Sequence, residues 1–167
     1  RSGRLLLQRR ALDKYHSGGL WSNTCCSHPR PGERPLDAAH RRLEEEMGFD
    51  CPLTGGYAFT YRVDVGNGLV EHEFDHVFVG QFDGEPRPDR AEVDGWAWKP
   101  LDELCADVVA RPSEYTLWLR IVLDRLQKTA DASGNLLGPG LCTLFSGAAD
   151  ASLQDLLTGL DQAERRL

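Results

Sequence analysis

The stretch that decides the fold is Leu36–Phe49, LDAAHRRLEEEMGF. Apolar residues recur in it at the spacing of one helix face, and polar residues fill the other faces. Gly48 follows the last apolar position, and a glycine there is typical of a helix terminus because it readily adopts the left-handed conformation. The pattern therefore predicts an amphipathic helix that ends at Gly48. Its apolar stripe consists of Leu36, Ala39, Leu43 and Met47.

Strand patterns lie on both sides of this helix. Arg4–Arg10 is a short apolar run that ends in two arginines, which favours a buried strand. Tyr57–Phe82 predicts two strands joined at Gly66–Gly68, a turn sequence typical of a hairpin. A further strand leads into a helix start within Val93–Leu104, and Ser113–Lys128 predicts another helix. Because strands and helices do not alternate regularly, we expect an α+β fold with a mixed β-sheet packed between helices.

Length, charge and cysteine content limit the class of protein. The 167 residues are enough for one domain with a substantial core. A net charge of −7 argues against general binding to nucleic acid or to an anionic membrane, so an anionic ligand needs a local basic patch or a metal ion. No apolar run approaches the roughly 20 residues that span a bilayer. Five cysteines without disulfide spacing predict a reduced, cytoplasmic protein with free thiols.

Composition divides the chain near residue 128. Residues 1–128 predict a single domain, whereas residues 129–167 predict a linker followed by a short amphipathic helix over Ser152–Leu167. The sequence begins with Arg1 rather than Met, and an apolar run follows almost at once. We therefore expect a further segment upstream of Arg1.

Two adjacent cysteines stand close to a histidine in Ser22–Glu33, SNTCCSHPRPGE. In an extended segment Cys26 and His28 share one face, and Cys25 points the opposite way. This arrangement argues against a zinc site built from both thiolates. Considered alone, the pattern leaves two interpretations of Cys26, a buried structural residue or a reactive thiol, and the first is the more common.

Two acids alternate with other residues along the predicted strand LVEHEFDH. Glu71 and Glu73 share one face of this strand. They are consistent either with a solvated face or with a carboxylate pair that binds a divalent metal or transfers protons. His72 and His76 lie on the opposite face among aromatic residues, and we interpret them as packing residues.

Basic residues are concentrated in two places. Arg9, Arg10 and Lys14 form a basic cluster, and Arg42 would complete an anion clamp if the helix folds back over the first strand. Arg42 and Glu46 are four residues apart on the helix, a spacing that is also consistent with a surface ion pair worth about 0.3–0.5 kcal/mol. An arginine at this position can instead hold a phosphate.

The acids that end the helix resemble the Nudix box, G-x5-E-x7-R-E-U-x-E-E-x-G-U. Two positions depart from this pattern, with Ser27 in place of the first glycine and Arg42 in place of the glutamate after Arg41. A diphosphate hydrolase of this kind needs that glutamate for its metal cluster, which argues against hydrolysis. The positions that agree are Glu33, Arg41, Leu43, Glu45, Glu46, Gly48 and Phe49.

Several stretches together closely resemble type I isopentenyl-diphosphate isomerase, a family with the Nudix fold. They are RRALDKYHSGGLWSNTCCSHPRPGE, AAHRRLEEEMGF, FTYRVDV, GLVEHEFDHVFVG, EVDGWAWKPLDEL and YTLWLRIVLDRL, in the order and spacing of the family. The resemblance covers residues 4–128 of the sequence. It implies an enzyme that converts isopentenyl diphosphate to dimethylallyl diphosphate, with a small prenyl diphosphate as its partner and neither nucleic acid nor membrane.

The resemblance also implies roles for individual residues. The implied catalytic residues are Cys26, Glu73 and Tyr61. The implied ligands of one Mg²⁺, Mn²⁺ or Zn²⁺ ion are His28, Glu71 and Glu73, and Glu46 is implied to hold a Mg²⁺ ion that bridges to the substrate diphosphate. The implied substrate contacts are Arg10, Lys14, Ser27, Arg42 and Trp118, the last of which lines the hydrocarbon pocket. Family members take two further histidine ligands from an N-terminal segment, so the resemblance implies that the His/Glu site is incomplete in this sequence.

In the implied reaction, protonation of the alkene gives a tertiary carbocation that then loses a different proton. Cys26 and Glu73 are expected on opposite faces of the double bond, and the direction of transfer stays open. Three alternatives remain: a Nudix diphosphate hydrolase, a repurposed member of the fold that cyclises a longer prenyl chain, and a non-catalytic binding protein. The helix sequence YTLWLR and the unmatched tail from Thr129 onward keep the cyclase alternative open.

Overall fold

The computed structural model describes residues 4–66, 68–133 and 142–143. The strands of this part of the chain are β1 (Arg4–Arg10), β2 (Trp21–Asn23), β3 (Leu53–Gly66), β4 (Leu69–Gly80), β5 (Val93–Pro100) and β6 (Cys142–Thr143). They form two three-stranded sheets, one in the order β2-β1-β5 and the other in the order β3-β4-β6. Each sheet therefore contains one long-range pairing between strands that are distant in the chain.

The described helices are α1 (Pro35–Met47), α2 (Leu101–Ala110) and α3 (Leu117–Ser133). A short 3-10 turn, Pro112–Glu114, precedes α3, so this helix begins four residues later than the predicted Ser113. It continues beyond Lys128, and residues 129–133 of the predicted linker are helical. The predicted helix over 152–167 lies outside the described residues. None of the described helices is both long enough and apolar enough to cross a bilayer.

The predicted amphipathic helix and its terminus are confirmed. Helix α1 begins with Pro35, which fits the first turn because the amide missing from proline has no partner there in any helix. Gly48 has φ 69° and its N–H donates a 3.0 Å hydrogen bond to the carbonyl of Glu44. The left-handed backbone at this position is the conformation that favours glycine.

The predicted hairpin is confirmed as well. Strands β3 and β4 pair antiparallel along most of their length. Gly66 and Gly68 at the connection have φ 88° and 74°, which explains the glycines in the turn sequence. The register places Tyr61 of β3 directly opposite Glu73 of β4, and this pairing builds the centre of the site described below.

The first sheet is packed between helices on both of its faces. Leu5 and Leu7 of β1 belong to the apolar cluster that includes buried residues of α2 and α3. Leu6 points to the other face and packs with Leu43 and Met47 of α1. The predicted α+β fold, with a sheet between helices, is therefore confirmed.

The strand pairs named above are all antiparallel. A mixed sheet also contains parallel pairing. In the described part of the chain this pairing is limited to a single bridge between Trp21 and Tyr115. This bridge joins β2 to the segment that leads into α3. It brings the start of α3 next to the first sheet.

The burial of the two faces of β4 differs from our interpretation of the sequence. Glu71 and Glu73 are partly buried, whereas His72, Phe74 and His76 are exposed. Phe74 and His76 contact each other edge to face, with ring centroids 4.9 Å apart. The interpretation of His72 and His76 as packing residues was wrong, because alternation along a strand reveals which residues share a face but not which face is covered.

Candidate active site

All the residues predicted for the site line one cavity of about 130 Å³. Strand β1 and the turn after it, the segment after β2, helix α1, the β3–β4 hairpin and helix α3 each contribute to the wall. The predicted residues are Arg10, Lys14, Cys26, Ser27, His28, Arg42, Glu46, Tyr61, Glu71, Glu73 and Trp118. The fold therefore brings together side chains that the sequence distributes over more than a hundred positions.

The centre of the cavity wall is a tyrosine between two carboxylates. The hydroxyl of Tyr61 lies 2.9 Å from Oε2 of Glu73 and 3.1 Å from Oε2 of Glu71. Tyr61 is buried, so no bulk water competes for these contacts. A phenol has a single proton, and Tyr61 can therefore donate to only one of the two carboxylates at a time.

A histidine stands at each end of this arrangement. Nε2 of His28 lies 2.7 Å from Oε1 of Glu73, and Nε2 of His16 lies 3.1 Å from Oε1 of Glu71. We call the row His16, Glu71, Tyr61, Glu73 and His28 the Tyr61 network. It links five side chains from four segments of the chain through consecutive polar contacts of 2.7–3.1 Å.

His16 and Tyr15 are the two cavity residues that sequence reasoning missed. They occupy the turn DKYHSGG, which was assigned no function. The available signal was a histidine two positions after Lys14, in a chain with only five histidines. That signal does not show that the turn folds back over β4.

The two glutamates of the Tyr61 network differ in the pKa of their carboxyl groups. Burial raises the pKa of Glu71, and the neighbouring charge of Glu73 raises it further. The hydrogen bond from His28 lowers the pKa of Glu73, and the same bond raises the pKa of His28. Burial, with the nearby Arg10 guanidinium, lowers the pKa of His16. Glu73 is therefore the more readily ionised carboxylate, and His28 the more readily protonated imidazole.

The two cysteines face opposite sides, as predicted. Cys25 is buried against Leu43 and Met47. Cys26 is partly buried and lines the same cavity as Glu73. Burial raises the pKa of Cys26 well above its usual range, and the nearby Asp75 carboxylate raises it further. The group at position 26 is therefore a thiol rather than a thiolate at neutral pH.

The basic cluster divides between the surface and the cavity. Arg9 forms a surface ion pair with Asp94, whereas Arg10 is 7 % exposed and lines the cavity. Within the described ranges, no carboxylate lies at salt-bridge distance from Arg10 and its Nε has no hydrogen-bond partner. Its guanidinium instead lies over the Trp118 ring, 5.1 Å from the centroid. A buried cation without an anionic partner is suited to bind an anionic ligand.

Arg42 and Glu46 form an ion pair in the cavity wall, with Glu46 buried and Arg42 partly buried, so the surface alternative is wrong. Nη2 of Arg42 lies 2.6 Å from Oε1 of Glu46, which is only 4 % exposed. Gln8 donates a 2.9 Å hydrogen bond to the second oxygen of Glu46. Burial opposes the charge of Arg42, but the carboxylates of Glu46 and Glu45 more than compensate and raise its pKa above the usual value.

Trp118 closes the cavity on the side of α3. Its Nε1–H donates a 2.8 Å hydrogen bond to the hydroxyl of Ser22 on β2. The indole is 2 % exposed and meets the His16 ring edge to face, with centroids 5.5 Å apart. The hydrogen bond and the ring contact hold the indole in one orientation, and the Arg10 guanidinium lies over its ring.

The donor atoms have the right chemistry for a divalent ion but do not form a complete metal site. His28, Glu71 and Glu73 offer the nitrogen and oxygen donors that Mg²⁺, Mn²⁺ and Zn²⁺ accept. Their donor atoms bond to one another and to Tyr61. In the described ranges, no three His, Cys, Asp or Glu side chains converge in a metal-binding arrangement. Further ligands would be needed to close the site.

A second cavity, of about 300 Å³, adjoins the first. Cys26 and Glu73 line both cavities. The wall of the second includes apolar side chains of α1 and β4, among them Ala38, Phe74 and Phe78, together with the charged Arg42 and Asp75. The thiol and the carboxylate therefore lie between a strongly charged cavity and a larger, more apolar one.

Comparison with known proteins agrees with this fold. A family model described as NUDIX domain matches residues 1–119. Isopentenyl-diphosphate Delta-isomerase 2 of Aromatoleum aromaticum is 57% identical over 131 residues, which are 78% of this chain and 69% of that protein. The Delta-isomerase of Burkholderia multivorans is 54% identical over 124 residues, 74% of this chain and 70% of that protein. The chain belongs to the isopentenyl-diphosphate Delta-isomerase family of NUDIX-domain proteins.

Solved structures support the fold. A protein from Deinococcus radiodurans is similar with a TM-score of 0.56 over 74% of both chains, at 17% identity. A MutT NUDIX hydrolase from Burkholderia pseudomallei is similar with a TM-score of 0.51 at 28% identity, over 61% of this chain and 77% of that one. At such low identity the first likeness concerns the fold alone.

Proposed function

We propose that the protein interconverts isopentenyl diphosphate and dimethylallyl diphosphate. One observation carries the proposal: the thiol of Cys26 and the carboxylate of Glu73 line the same cavity as Arg10, Lys14 and Arg42. The relatives named as Delta-isomerases support the same substrate. The site thus combines an acid–base pair with a cationic end.

The reaction requires two proton transfers. An alkene is a very weak base, so a proton added at C4 gives a tertiary carbocation, and a proton removed from C2 restores the double bond. Cys26 retains its proton because burial raises the pKa of its thiol, and Glu73 is ionised because His28 lowers the pKa of its carboxyl. One member of the pair can therefore give a proton while the other accepts one.

The cationic end of the cavity would hold the diphosphate. Arg10 is buried without an ionic partner in the described part of the chain, so its charge is available to the ligand. Lys14 and Arg42 both contact Glu92, and Arg42 also binds Glu46. The hydroxyl of Ser27 lines the same cavity. Binding at this end would fix the alkene near Cys26 and Glu73, which reduces the entropic cost of the reaction.

Trp118 would stabilise the carbocation. An aromatic face near a cation contributes about 0.5–2 kcal/mol when water is excluded. The indole is already oriented by its hydrogen bond to Ser22. Its burial also excludes water, which would otherwise trap the cation as an alcohol.

We also propose two divalent ions. Glu46 would hold Mg²⁺ beside the diphosphate, and His28, Glu71 and Glu73 would contribute ligands to a second ion. When bound, such ions neutralise diphosphate charge and polarise their ligands. Ion binding should therefore weaken in Glu46→Gln and Glu71→Gln variants, as measured by isothermal titration calorimetry with Mn²⁺.

A direct assay tests the proposed function. The purified protein, incubated with isopentenyl diphosphate and Mg²⁺ in D₂O, should form deuterated dimethylallyl diphosphate, detected by NMR. Cys26→Ala and Glu73→Gln should abolish turnover. Cys105→Ala is the matched control, because Cys105 is another partly buried free thiol but lines neither cavity. Undiminished turnover in Cys26→Ala or Glu73→Gln would contradict the assigned roles.

The same assay separates the alternatives. A Nudix hydrolase would release phosphate from isopentenyl diphosphate, and Arg42 in place of the glutamate argues against it. The apolar cavity beside Cys26 and Glu73 is an observation that favours a longer prenyl chain as a second candidate substrate. Geranyl and farnesyl diphosphate should therefore be assayed in parallel, with cyclic products as the diagnostic outcome.

A further inference from the structure

We propose that His16 is a positioning residue that holds Glu71 in the Tyr61 network and supports Trp118. This inference rests on the proposed isomerase function and adds a residue to it. In this scheme the His16 side chain does not contact the substrate. It acts through the two side chains that it contacts.

The contact with Glu71 restricts the carboxylate from both sides. Nε2 of His16 lies 3.1 Å from Oε1, and the hydroxyl of Tyr61 lies 3.1 Å from Oε2. A partly buried carboxylate with a separate polar partner within 3.1 Å of each oxygen is restricted in its orientation. Without the His16 imidazole, Glu71 would be left with the Tyr61 hydroxyl, which it shares with Glu73.

His16 is itself firmly held. Its Nδ1 lies 3.1 Å from Oγ of Ser17, and Ser17 has φ 54°, a left-handed backbone that residues other than glycine seldom adopt. The imidazole is buried, with edge-to-face contacts to Tyr15 at 4.3 Å and to Trp118 at 5.5 Å between ring centroids. A strained backbone that presents one buried ring to the site is typical of a functional position.

The contact between His16 and Arg10 uses the backbone. Nη2 of Arg10 donates a 3.3 Å hydrogen bond to the carbonyl oxygen of His16. A substitution of the side chain retains this carbonyl. Loss of the imidazole should therefore disturb Glu71 and Trp118 more than the basic residues that would hold the diphosphate. We accordingly expect kcat to fall while KM changes little.

Three variants test the proposal. His16→Ala should lower kcat for isopentenyl diphosphate about 10- to 100-fold, the usual effect of removing a residue that supports a site residue, with KM changed less than about threefold. His16→Gln keeps an N–H donor at similar reach and should recover most of the lost kcat. His72→Ala is the control, because His72 is the exposed histidine between Glu71 and Glu73 and lines neither cavity.

The contact can also be tested without any turnover. Long-range ¹H–¹⁵N spectra of the imidazole should show the proton of neutral His16 on Nε2, and Glu71→Ala should shift this resonance while His72→Ala should not. If the wild-type protein makes no dimethylallyl diphosphate, the proposed function fails, and the spectra still test the contact. An unshifted resonance in Glu71→Ala, or equal kcat in His16→Ala and wild type, would overturn the positioning role.

Discussion

The hydroxyl of Tyr61 donates a 2.9 Å hydrogen bond to Glu73, the residue directly opposite it in the β3–β4 ladder. Tyr61→Phe removes the hydroxyl that contacts both Glu71 and Glu73. Hydrogen bonds to charged groups contribute about 1.5–3 kcal/mol, so kcat should fall about 10- to 100-fold. Steady-state kinetics of dimethylallyl diphosphate formation measure this change.

Tyr57→Phe is the matched control for Tyr61→Phe. Tyr57 lies on the same strand, and its buried hydroxyl has no hydrogen-bond partner in the described part of the chain. Its removal should leave kcat unchanged and should not lower the free energy of unfolding. Equal losses of kcat in the two variants would contradict a specific role for the Tyr61 hydroxyl.

Arg10→Met should weaken substrate binding without weakening the fold. Arg10 is buried and lacks an ionic partner in the described ranges, so removal of its charge costs little in the ligand-free protein. Loss of a charged diphosphate contact should raise the Kd of isopentenyl diphosphate by about 10- to 100-fold. Calorimetric titration measures the Kd, and thermal unfolding should show a Tm that is unchanged or higher.

Arg9→Met provides the comparison for Arg10→Met. Arg9 is the adjacent arginine but forms its ion pair with Asp94 at the surface. Its replacement should leave the Kd within experimental error. A rise in Kd that is equally large for Arg9→Met would indicate a general effect of net charge rather than a contact made by Arg10.

Glu33 makes the stability of the protein depend on acid pH. The two hydrogen bonds from Arg41 lower the pKa of Glu33 from 4.5 to about 2. Because the folded pKa is the lower one, this ion pair stabilises the fold above pH 4.5, and the contribution is lost as the pH falls toward 2. In Glu33→Gln the free energy of unfolding should depend less on pH in that window, as measured by urea titration at several pH values. An identical pH dependence in both proteins would contradict the assignment.

Gly48→Ala should destabilise the protein more than Gly32→Ala. Both glycines have positive φ, 69° and 80°, so each substitution incurs a backbone cost of about 1–2 kcal/mol. At Gly48 a Cβ would also lie 2.2 Å from the carbonyl oxygen of Arg87, whereas at Gly32 no atom lies within 4 Å. The steric overlap should add about 1–3 kcal/mol, measured as the difference in free energy of unfolding. Equal losses would show that the chain relaxes around the new methyl group.

Local patterns predicted the elements that frame the site. The apolar stripe of Leu36–Phe49 predicted α1, and the glycines around residue 67 predicted the β3–β4 hairpin, because both depend on interactions between residues close in sequence. The predicted separation of Cys25 from Cys26 follows from strand alternation in the same way. The start of α3 was less predictable, because Tyr115 and Thr116 before it pair with Trp21 of β2 instead of extending the helix.

The sequence by itself determined the helix, the hairpin, the opposite faces of Cys25 and Cys26 and the set of polar residues that resembles the isomerase family. The tertiary structure alone decided that the Glu71 face of β4 is covered while His72 is exposed, that Glu46 is buried, and that His16 reaches Glu71. The physical reason is that periodicity specifies neighbours along one element. Contacts between distant elements depend instead on sheet register and on the packing of the turn after β1, which no local pattern encodes.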